Sequence, residues 1–138
     1  MGKHQDGYVS FDVPRDWDER TVVTYAAPKR ADGTSAARVV VTHRKHDGAL
    51  AALVTNYLRV SATQLPGFVL RERQPITLAG RVAISASFAS DGYERRLLAV
   101  PVRPDLAALI VLTAREQDAA AMAPLFERML SSITVSGV

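Results

Sequence analysis

Cysteine is absent from this chain, and its absence excludes several kinds of chemistry. Without thiol groups the protein forms no disulfide bridge, has no thiolate nucleophile and binds no metal through cysteine sulfur. Long apolar runs are missing too, since the segment from Leu106 to Leu112 is far shorter than the roughly 20 residues that span a bilayer. The first residues contain no apolar stretch that would serve as a secretory signal. We therefore expect a cytoplasmic protein that does not insert into a membrane.

The familiar sequence signatures of catalysis are also missing. The chain has neither a glycine-rich phosphate loop nor a G-x-S-x-G turn around a serine nucleophile. Its clustered acids, Asp16, Asp18 and Glu19, follow Pro14 in a predicted loop, whereas acid-base catalysis needs carboxyl groups that are held in a cleft. We therefore predict that the protein is not an enzyme and uses no cofactor.

Histidine supplies the one arrangement that resembles a metal site. His43 and His46 form an H-x-x-H pair where a predicted strand runs into a loop. A catalytic zinc ion takes three protein ligands, commonly two of them on one helical face, and the third histidine, His4, lies in the predicted N-terminal tail. We interpret the pair as surface histidines and predict no metal site.

The composition of the 138 residues, 48% hydrophobic and 22% charged, is that of one globular domain. We assign this domain to residues 7–135, with residues 1–6 as a short N-terminal tail. The net charge is +3, but the basic residues are dispersed along the chain and only 7% of residues are aromatic. Proteins that bind nucleic acid concentrate basic residues on one face, so we do not expect a nucleic-acid partner.

Hydrophobic periodicity divides the chain into strands and two helices. In the first half, three strands are predicted as an antiparallel meander, at Tyr8–Val13, Arg20–Ala27 and Ala37–Arg44. An amphipathic helix follows Asp47-Gly48 and stops at Pro66-Gly67.

The second half predicts four further strands and a second helix. Asp91-Gly92 is a hairpin signal between two of the strands, and Asp118 caps the helix. The order β-β-β-α-β-β-β-β-α indicates an α+β fold, a mostly antiparallel sheet of six or seven strands with two amphipathic helices. The four strands are predicted at Phe68–Gln74, Arg81–Ala89, Tyr93–Val102 and Leu106–Arg115.

Several strands of the second half are apolar on both faces. A sheet with one face in water alternates apolar with polar residues, but Leu97–Val100 and Leu106–Leu112 do not. If both helices pack on one face of the sheet, the other face needs a second subunit or a hydrophobic partner as its cover. If the helices lie on opposite faces, they bury both sides. One face of the strand at Arg81–Ala89 carries only small residues, namely Ala83, Ser85, Ser87 and Ala89.

The stretch from Phe11 to Thr21 resembles the F-x-(V/I)-P-x-x-W-x-D-x-T entry of the DcrB-related proteins, which have the PsbP-like fold. Later features keep the order of that family, and the resemblance covers about residues 7–135. It implies a PsbP-like sandwich. The later features are Val39-Val40-Val41 before His43-Arg44, Gln64-Leu65-Pro66-Gly67-Phe68, Leu78-Ala79-Gly80-Arg81, Asp91-Gly92, and Phe126 to Ile133.

Within that family, short proteins without a signal peptide resemble the Eag-type chaperones of bacterial type VI secretion. The resemblance implies a cytoplasmic homodimer that holds the hydrophobic N-terminal, transmembrane segments of an effector until it is loaded. The tract Asp18-Glu19-Arg20-Thr21 matches these chaperones, with Glu19 as an additional residue. Where such chaperones carry glutamines after the hairpin, this chain has Glu94-Arg95-Arg96.

The row of small residues suggests where such a segment would bind. A transmembrane helix rich in small residues packs closely only against a smooth surface, and the row offers one. We therefore predict a partner-binding surface on the second face of the strands from Arg81 to Arg115. Its residues are Ala83, Ser85, Ser87, Ala89, Leu97, Ala99, Leu109 and Val111.

Two other functions stay open at this point. A monomeric module of the same fold would dock a folded partner through the loops Arg15–Arg20 and Lys29–Ser35. A small-ligand binder or enzyme would use a pocket at the sheet edge that encloses His43 or Glu94 with converging polar groups.

Overall fold

The computed structural model describes residues 2–5, 9–13, 18–20, 24–29, 31 and 35–135. In these residues it has two antiparallel sheets and two α-helices, which confirms the predicted α+β class. The strands are β1 (Gly2–Gln5), β2 (Val9–Val13), β3 (Asp18–Arg20), β4 (Thr24–Ala26), β5 (Ala37–Lys45), β6 (Val69–Leu78), β7 (Arg81–Ser90), β8 (Tyr93–Arg103), β9 (Leu106–Arg115) and β10 (Thr134–Val135). The helices are α1 (Leu50–Gln64) and α2 (Ala119–Ser131), and a 3-10 turn at Glu116–Asp118 precedes α2.

Seven strands form the large sheet in the order β3-β4-β5-β9-β8-β7-β6, and three form the small sheet in the order β1-β2-β10. The predicted meander of the first three strands is wrong, because β2 pairs within the small sheet while β4 and β5 pair within the large one. Alternation identifies the buried side chains of β2, namely Val9, Phe11 and Val13, but it does not identify the strand to which β2 is hydrogen-bonded.

The predicted N-terminal tail contains a strand. β1 pairs with β2 along its whole length. His4 in β1 is buried, its ring stacks on Phe11 with 4.9 Å between the centroids, and its Nδ1 lies 3.0 Å from Oη of Tyr25. The sequence pattern misses this strand because Gly2–Gln5 has no apolar alternation, and only tertiary contacts make a histidine the inward-facing residue.

Two tight turns fix the register of β6, β7 and β8. They are Ala79-Gly80 between β6 and β7 and Asp91-Gly92 between β7 and β8, each of two residues. All four residues have a positive φ, between 49° and 81°, as a type I′ turn requires. The hairpin predicted at Asp91-Gly92 is confirmed, and its register decides which side chains of β7 and β8 share a face.

The two helices lie on opposite faces of the large sheet. One face, which we call the α1 face, contacts α1 through Val54 and Leu58. The other, which we call the sandwich face, is covered by α2 and the small sheet. Of the two arrangements that the sequence left open, the structure therefore has the one in which the helices lie on opposite faces and bury both sides of the sheet. No helix in the described part of the chain is long and apolar enough to cross a membrane. Beneath α1 lie Ala86, Phe88, Leu97, Ala99 and Leu109.

α1 covers only part of its face. Its main sheet contacts are with β7 and β8. On the side of β6, Arg73 donates hydrogen bonds to Oγ1 of Thr55 and to the carbonyl oxygen of Ala51, both at 2.8 Å. On the side of β5, where Val40 and Thr42 are half-buried, a groove separates the helix from the strand.

We expect Leu97→Ala to lower the free energy of unfolding by about 3 kcal/mol, because Leu97 is fully buried beneath α1 and its truncation leaves a cavity. The matched control Val82→Ala, at a valine that is 68% exposed on β7, should change it by less than about 0.5 kcal/mol. Denaturant unfolding followed by circular dichroism measures both variants. Equal losses would contradict the packing of α1 on β7 and β8.

Candidate functional site beside helix α1

The register of the sheet divides the predicted binding residues between two faces. Leu97 pairs with Ala86 and therefore lies on the α1 face, whereas Ser85 pairs with Leu98 and lies on the sandwich face. The expectation of one shared surface is wrong, because the two-residue turn at Asp91-Gly92 places Ala86, and not Ser85, opposite Leu97. The α1 face carries Leu97, Ala99, Leu109 and Val111, and the sandwich face carries Ala83, Ser85, Ser87 and Ala89.

Most of these side chains are part of the protein core. Ala89 is half-buried, Ser87 lines a small cavity of about 170 Å³ beside α2, and Val111 lines a larger groove beside α1. The role of the eight residues in partner binding stays a prediction, and only two of them line a cavity that a partner can enter. The buried members are Ala83, Ser85, Leu97, Ala99 and Leu109.

The larger groove has a volume of about 400 Å³ and runs between α1 and strands β5 and β9. We call it the arginine groove, because Arg38 and Arg44 on β5 and Arg95 on β8 line it. Its floor is apolar at Val40 and Val111, and its α1 wall is uncharged. The remaining lining residues are Tyr57, Val60, Ser61, Gln64, Leu65, Phe88 and Thr113.

The three arginines are spread along the groove. Arg38 and Arg44 lie on the same face of β5 and six residues apart, so their Cα atoms are separated by about 20 Å at roughly 3.4 Å per residue. Arg38 and Arg95 both pair with Thr113, from its two neighbouring strands, which separates their Cα atoms by about 10 Å. One end of the groove therefore carries two cations and the other end carries one.

The positive charge of the groove is only partly balanced within the described part of the chain, where the charge of Asp91 acts on Arg95 from outside the groove lining. No acidic side chain there lines the groove or forms an ion pair with Arg38, Arg44 or Arg95. Arg95 instead donates hydrogen bonds to the carbonyl and the hydroxyl of Ser90, and its guanidinium lies 5.2 Å from the centroid of the Tyr93 ring. Partial burial and the charge of Arg38 lower the pKa of Arg95.

Tyr57 on α1 contributes a neutral donor to the groove. Burial raises the pKa of Tyr57, and the nearby charges of Arg44 and Arg95 oppose that rise only in part. The phenol is therefore protonated at neutral pH. Together with the hydroxyls of Ser61 and Thr113, it makes the groove rich in hydrogen-bond donors.

Two arginines on the sandwich face form ion pairs, in contrast to the three arginines of the groove. Arg71 on β6 contacts both carboxylate oxygens of Glu94, with Nη2 at 2.8 Å from Oε1, and Arg96 Nη1 lies 2.7 Å from Oε1 of Glu127. In the tract Glu94-Arg95-Arg96, where the resemblance implies glutamines, successive side chains therefore lie on alternate faces of the sheet. Arg95 faces the groove, while its two neighbours form ion pairs on the opposite face.

The histidine pair lies at the end of β5. His43 is exposed, and Nδ1 of His46 lies 2.9 Å from the carbonyl oxygen of Gly48. Among the residues that the structure describes, no group of three or more histidine, cysteine or acidic side chains is arranged to hold a metal ion.

The loops of the alternative docking function lie mostly outside the described residues. Of Arg15–Arg20, the structure describes the backbone of β3 alone. Within Lys29–Ser35, it describes Lys29, Ala31 and Ser35, and Lys29 pairs with Ser35 in an isolated bridge. Docking through these loops stays a hypothesis.

Comparison with known proteins gives a family and a fold. The DcrB family model matches residues 9–131. PA94 from Pseudomonas aeruginosa, a protein of unknown function suggested to be a regulator, is 19% identical with a TM-score of 0.74, over 100% of this chain and 99% of that one. Cyanobacterial PsbP (CyanoP) from Synechocystis sp. PCC 6803 is 12% identical with a TM-score of 0.71, over 97% and 91%.

LpqN from Mycobacterium tuberculosis, which is involved in cell envelope biogenesis, is 16% identical with a TM-score of 0.64, over 97% of this chain and 88% of that one. A comparison with curated proteins gives no match. The structural similarities confirm the predicted PsbP-like fold, and none of these three proteins is described as an enzyme. The resemblance to the narrower Eag-type group stays a prediction.

The arginine groove was not among the predicted sites. Its strongest signal is the alternation along β5, where Arg38, Val40, Thr42 and Arg44 occupy one face. Arg95 belongs to a different strand and reaches the groove only through the register of β8 and β9. Charge that looks dispersed along the chain is therefore concentrated in space.

Because Arg38 and Arg95 repel each other, we expect Arg38→Gln to raise the free energy of unfolding by about 0.5 kcal/mol at low salt. The gain should shrink in about 0.5 M NaCl, since salt screens exposed charges. The control Arg128→Gln removes the same charge from the last turn of α2, where a cation is favourable, and should give no gain. Denaturant unfolding at two salt concentrations compares the variants. If Arg38→Gln and Arg128→Gln raise the free energy of unfolding equally, the effect comes from net charge and not from the repulsion between Arg38 and Arg95.

Proposed function

The chain belongs to the DcrB family, and we propose that it is a non-catalytic chaperone or adaptor for a bacterial type VI secretion effector. In this proposal it binds the hydrophobic N-terminal, transmembrane segment of the effector in the cytoplasm, without a cofactor, until the effector is loaded. The family and its PsbP-like neighbours support the coarser statement, a protein-interaction or regulator module. The apolar floor of the arginine groove supports the finer one.

The observation that carries the proposal is the strip of accessible apolar surface in the groove. Val40 and Val111 are half-buried on its floor, and Val60 is 41% exposed on its α1 wall. An apolar side chain that moves from water into such a site contributes roughly 1.5–3 kcal/mol when it is fully buried. Two or three such contacts would contribute to holding the segment, against the free-energy cost of ordering it.

The size of the groove limits how a segment would bind. About 400 Å³ holds several side chains, whereas a whole helix with its side chains is about 10 Å across. We therefore propose that one stripe of a helical segment enters the groove, with anchor residues at i, i+3, i+4 and i+7. This shifts the proposed contact surface away from the small residues of β7, which face the sandwich, to β5 and β9.

A homodimer forms part of the proposal, and the outer edge of β6 is its proposed interface. β6 is the last strand of the large sheet, and its apolar side chains Val69 and Leu70 are 52% and 46% exposed. An exposed edge strand can pair with a second chain, and the bulge between Leu70 and Glu72 and the proline Pro75 restrict such pairing to part of β6. β6 and β5 are separated by β7, β8 and β9, so pairing at this edge would leave both grooves open.

Co-expression with an effector segment tests the chaperone role. The probe is the N-terminal transmembrane segment of a type VI secretion effector that aggregates when it is expressed alone. We expect the chain to keep the segment in the soluble fraction, and Val60→Lys to lower the recovery about tenfold, because the lysine replaces an apolar contact of the groove wall. Co-purification through a tag on the chain measures the recovery.

Val82→Lys is the matched control, since it introduces the same residue at an exposed valine outside the groove. Its recovery should equal that of the unchanged chain. The proposal is contradicted if the unchanged chain fails to keep the segment soluble, or if both lysine variants lose it equally.

Size-exclusion chromatography with light scattering tests the homodimer. We expect twice the 15.0 kDa mass of the chain, and Leu70→Lys should give the monomer because it introduces a charge at the pairing edge. Val60→Lys should remain dimeric. A monomeric unchanged chain would remove the dimer from the proposal without affecting the groove.

A further inference from the structure

The arginine groove carries charge that an apolar partner alone would not use. Arg71 and Arg96 on the sandwich face are paired with acids, whereas no described carboxylate forms an ion pair with Arg38, Arg44 or Arg95, and Asp91 acts on Arg95 only through its more distant charge. An uncharged segment that covers the groove would take these cations partly out of water without a counter-charge, which costs free energy. An occupant with its own negative charge would turn the same cations into favourable contacts.

The spacing of the arginines indicates more than one negative group. A single small anion cannot contact Arg38 and Arg44 together, because about 20 Å separates their Cα atoms. The same distance corresponds to about six residues of an extended segment or about 13 of a helix. Val40 lies between the two arginines on the same face of β5, so apolar contact occurs between the two positions for negative charge.

The uncharged polar groups of the lining favour carboxylates as well. The hydroxyl groups of Tyr57, Ser61 and Thr113 and the side-chain amide of Gln64 all can donate hydrogen bonds. An ionised carboxylate only accepts hydrogen bonds, so it matches a lining of guanidinium groups and neutral donors.

We infer that the arginine groove selects a polypeptide segment in which carboxylate side chains stand on both sides of the apolar anchor residues. This inference rests on the proposed function, because it specifies the chemistry of the segment that the same groove holds. The two-cation end, at Arg38 and Arg95, takes one acidic position, and the end at Arg44 takes the other. Charge complementarity gives the groove selectivity that its valines alone do not provide.

Fluorescence anisotropy with two labelled peptides tests this inference. The acidic peptide has about 15 residues, long enough to span the groove as a helix, with glutamates at both ends of a leucine and alanine run. The neutral peptide has glutamine in place of every glutamate. We expect the acidic peptide to bind at least about tenfold more tightly, and to lose this advantage between about 50 and 300 mM salt.

Arginine variants assign the selectivity to the groove. Arg38→Gln and Arg44→Gln should each weaken binding of the acidic peptide about fivefold and leave the neutral peptide unchanged. Both arginines are exposed on β5, so these variants should fold, and circular dichroism checks that they do. Arg128→Gln, which removes an exposed arginine of α2 outside the groove, should leave both peptides unaffected.

The possible outcomes separate this inference from the chaperone role. Equal affinity for the two peptides, or no binding of the acidic one, would overturn the inference while the co-expression result could still stand. If the chain prefers the acidic peptide and loses this preference in the arginine variants, but does not keep the effector segment soluble, the inference is supported and the chaperone role is overturned. Complete displacement of the acidic peptide by an equal concentration of inorganic phosphate would assign the groove to a small oxyanion and overturn the inference.

Discussion

The packing of α1 against β7 and β8 is the constraint on which the candidate site depends. A helix with its side chains is about 10 Å wide, and strands lie about 4.8 Å apart, so one helix covers about two strands. The large sheet has seven, and Val54 and Leu58 fix the helix over the pair that carries Phe88 and Leu97. The groove beside β5 is therefore a geometric consequence of laying one helix on a wide sheet. Its lining is free to carry charge because the helix, and not the groove, completes that part of the core.

The sandwich face of the large sheet has no comparable uncovered region beside its helix. The small sheet and α2 bury the side chains of four strands there, including Val39, Val41, Leu98 and Ile110. Charges near that core are neutralised by partners, as in the ion pair between Arg96 and Glu127. The cations of the groove have no ion-pair partner in the described part of the chain, and this difference between the two faces is the argument for the proposed recognition on the α1 face.

Much of this fold follows from the sequence, because period-2 and period-3.6 patterns and the Asp91-Gly92 turn are local signals. The helices and the long strands β5 to β9 were predictable for this reason. The same turn implies the pairing of Ala86 with Leu97, which assigns the predicted binding residues to two faces. Strand order was not predictable, since it depends on hydrogen bonds between distant segments. His4 shows the same limit, because no local pattern marks a buried histidine in a polar segment.

The hydrophobic patterns of neighbouring strands nevertheless indicate where the groove lies. β8 and β9 are apolar on both faces over much of their length, as strands covered on both faces are. β5 is apolar on one face only, with Arg38, Val40, Thr42 and Arg44 on the other, which is the pattern of a strand with one solvated face. Once β5 is known to pair with β9, the boundary between the two kinds of strand marks the edge of the helix. In this chain the arginine groove lies where the doubly apolar strand β9 meets the singly apolar strand β5, and the charges of its β5 side come from that solvated face.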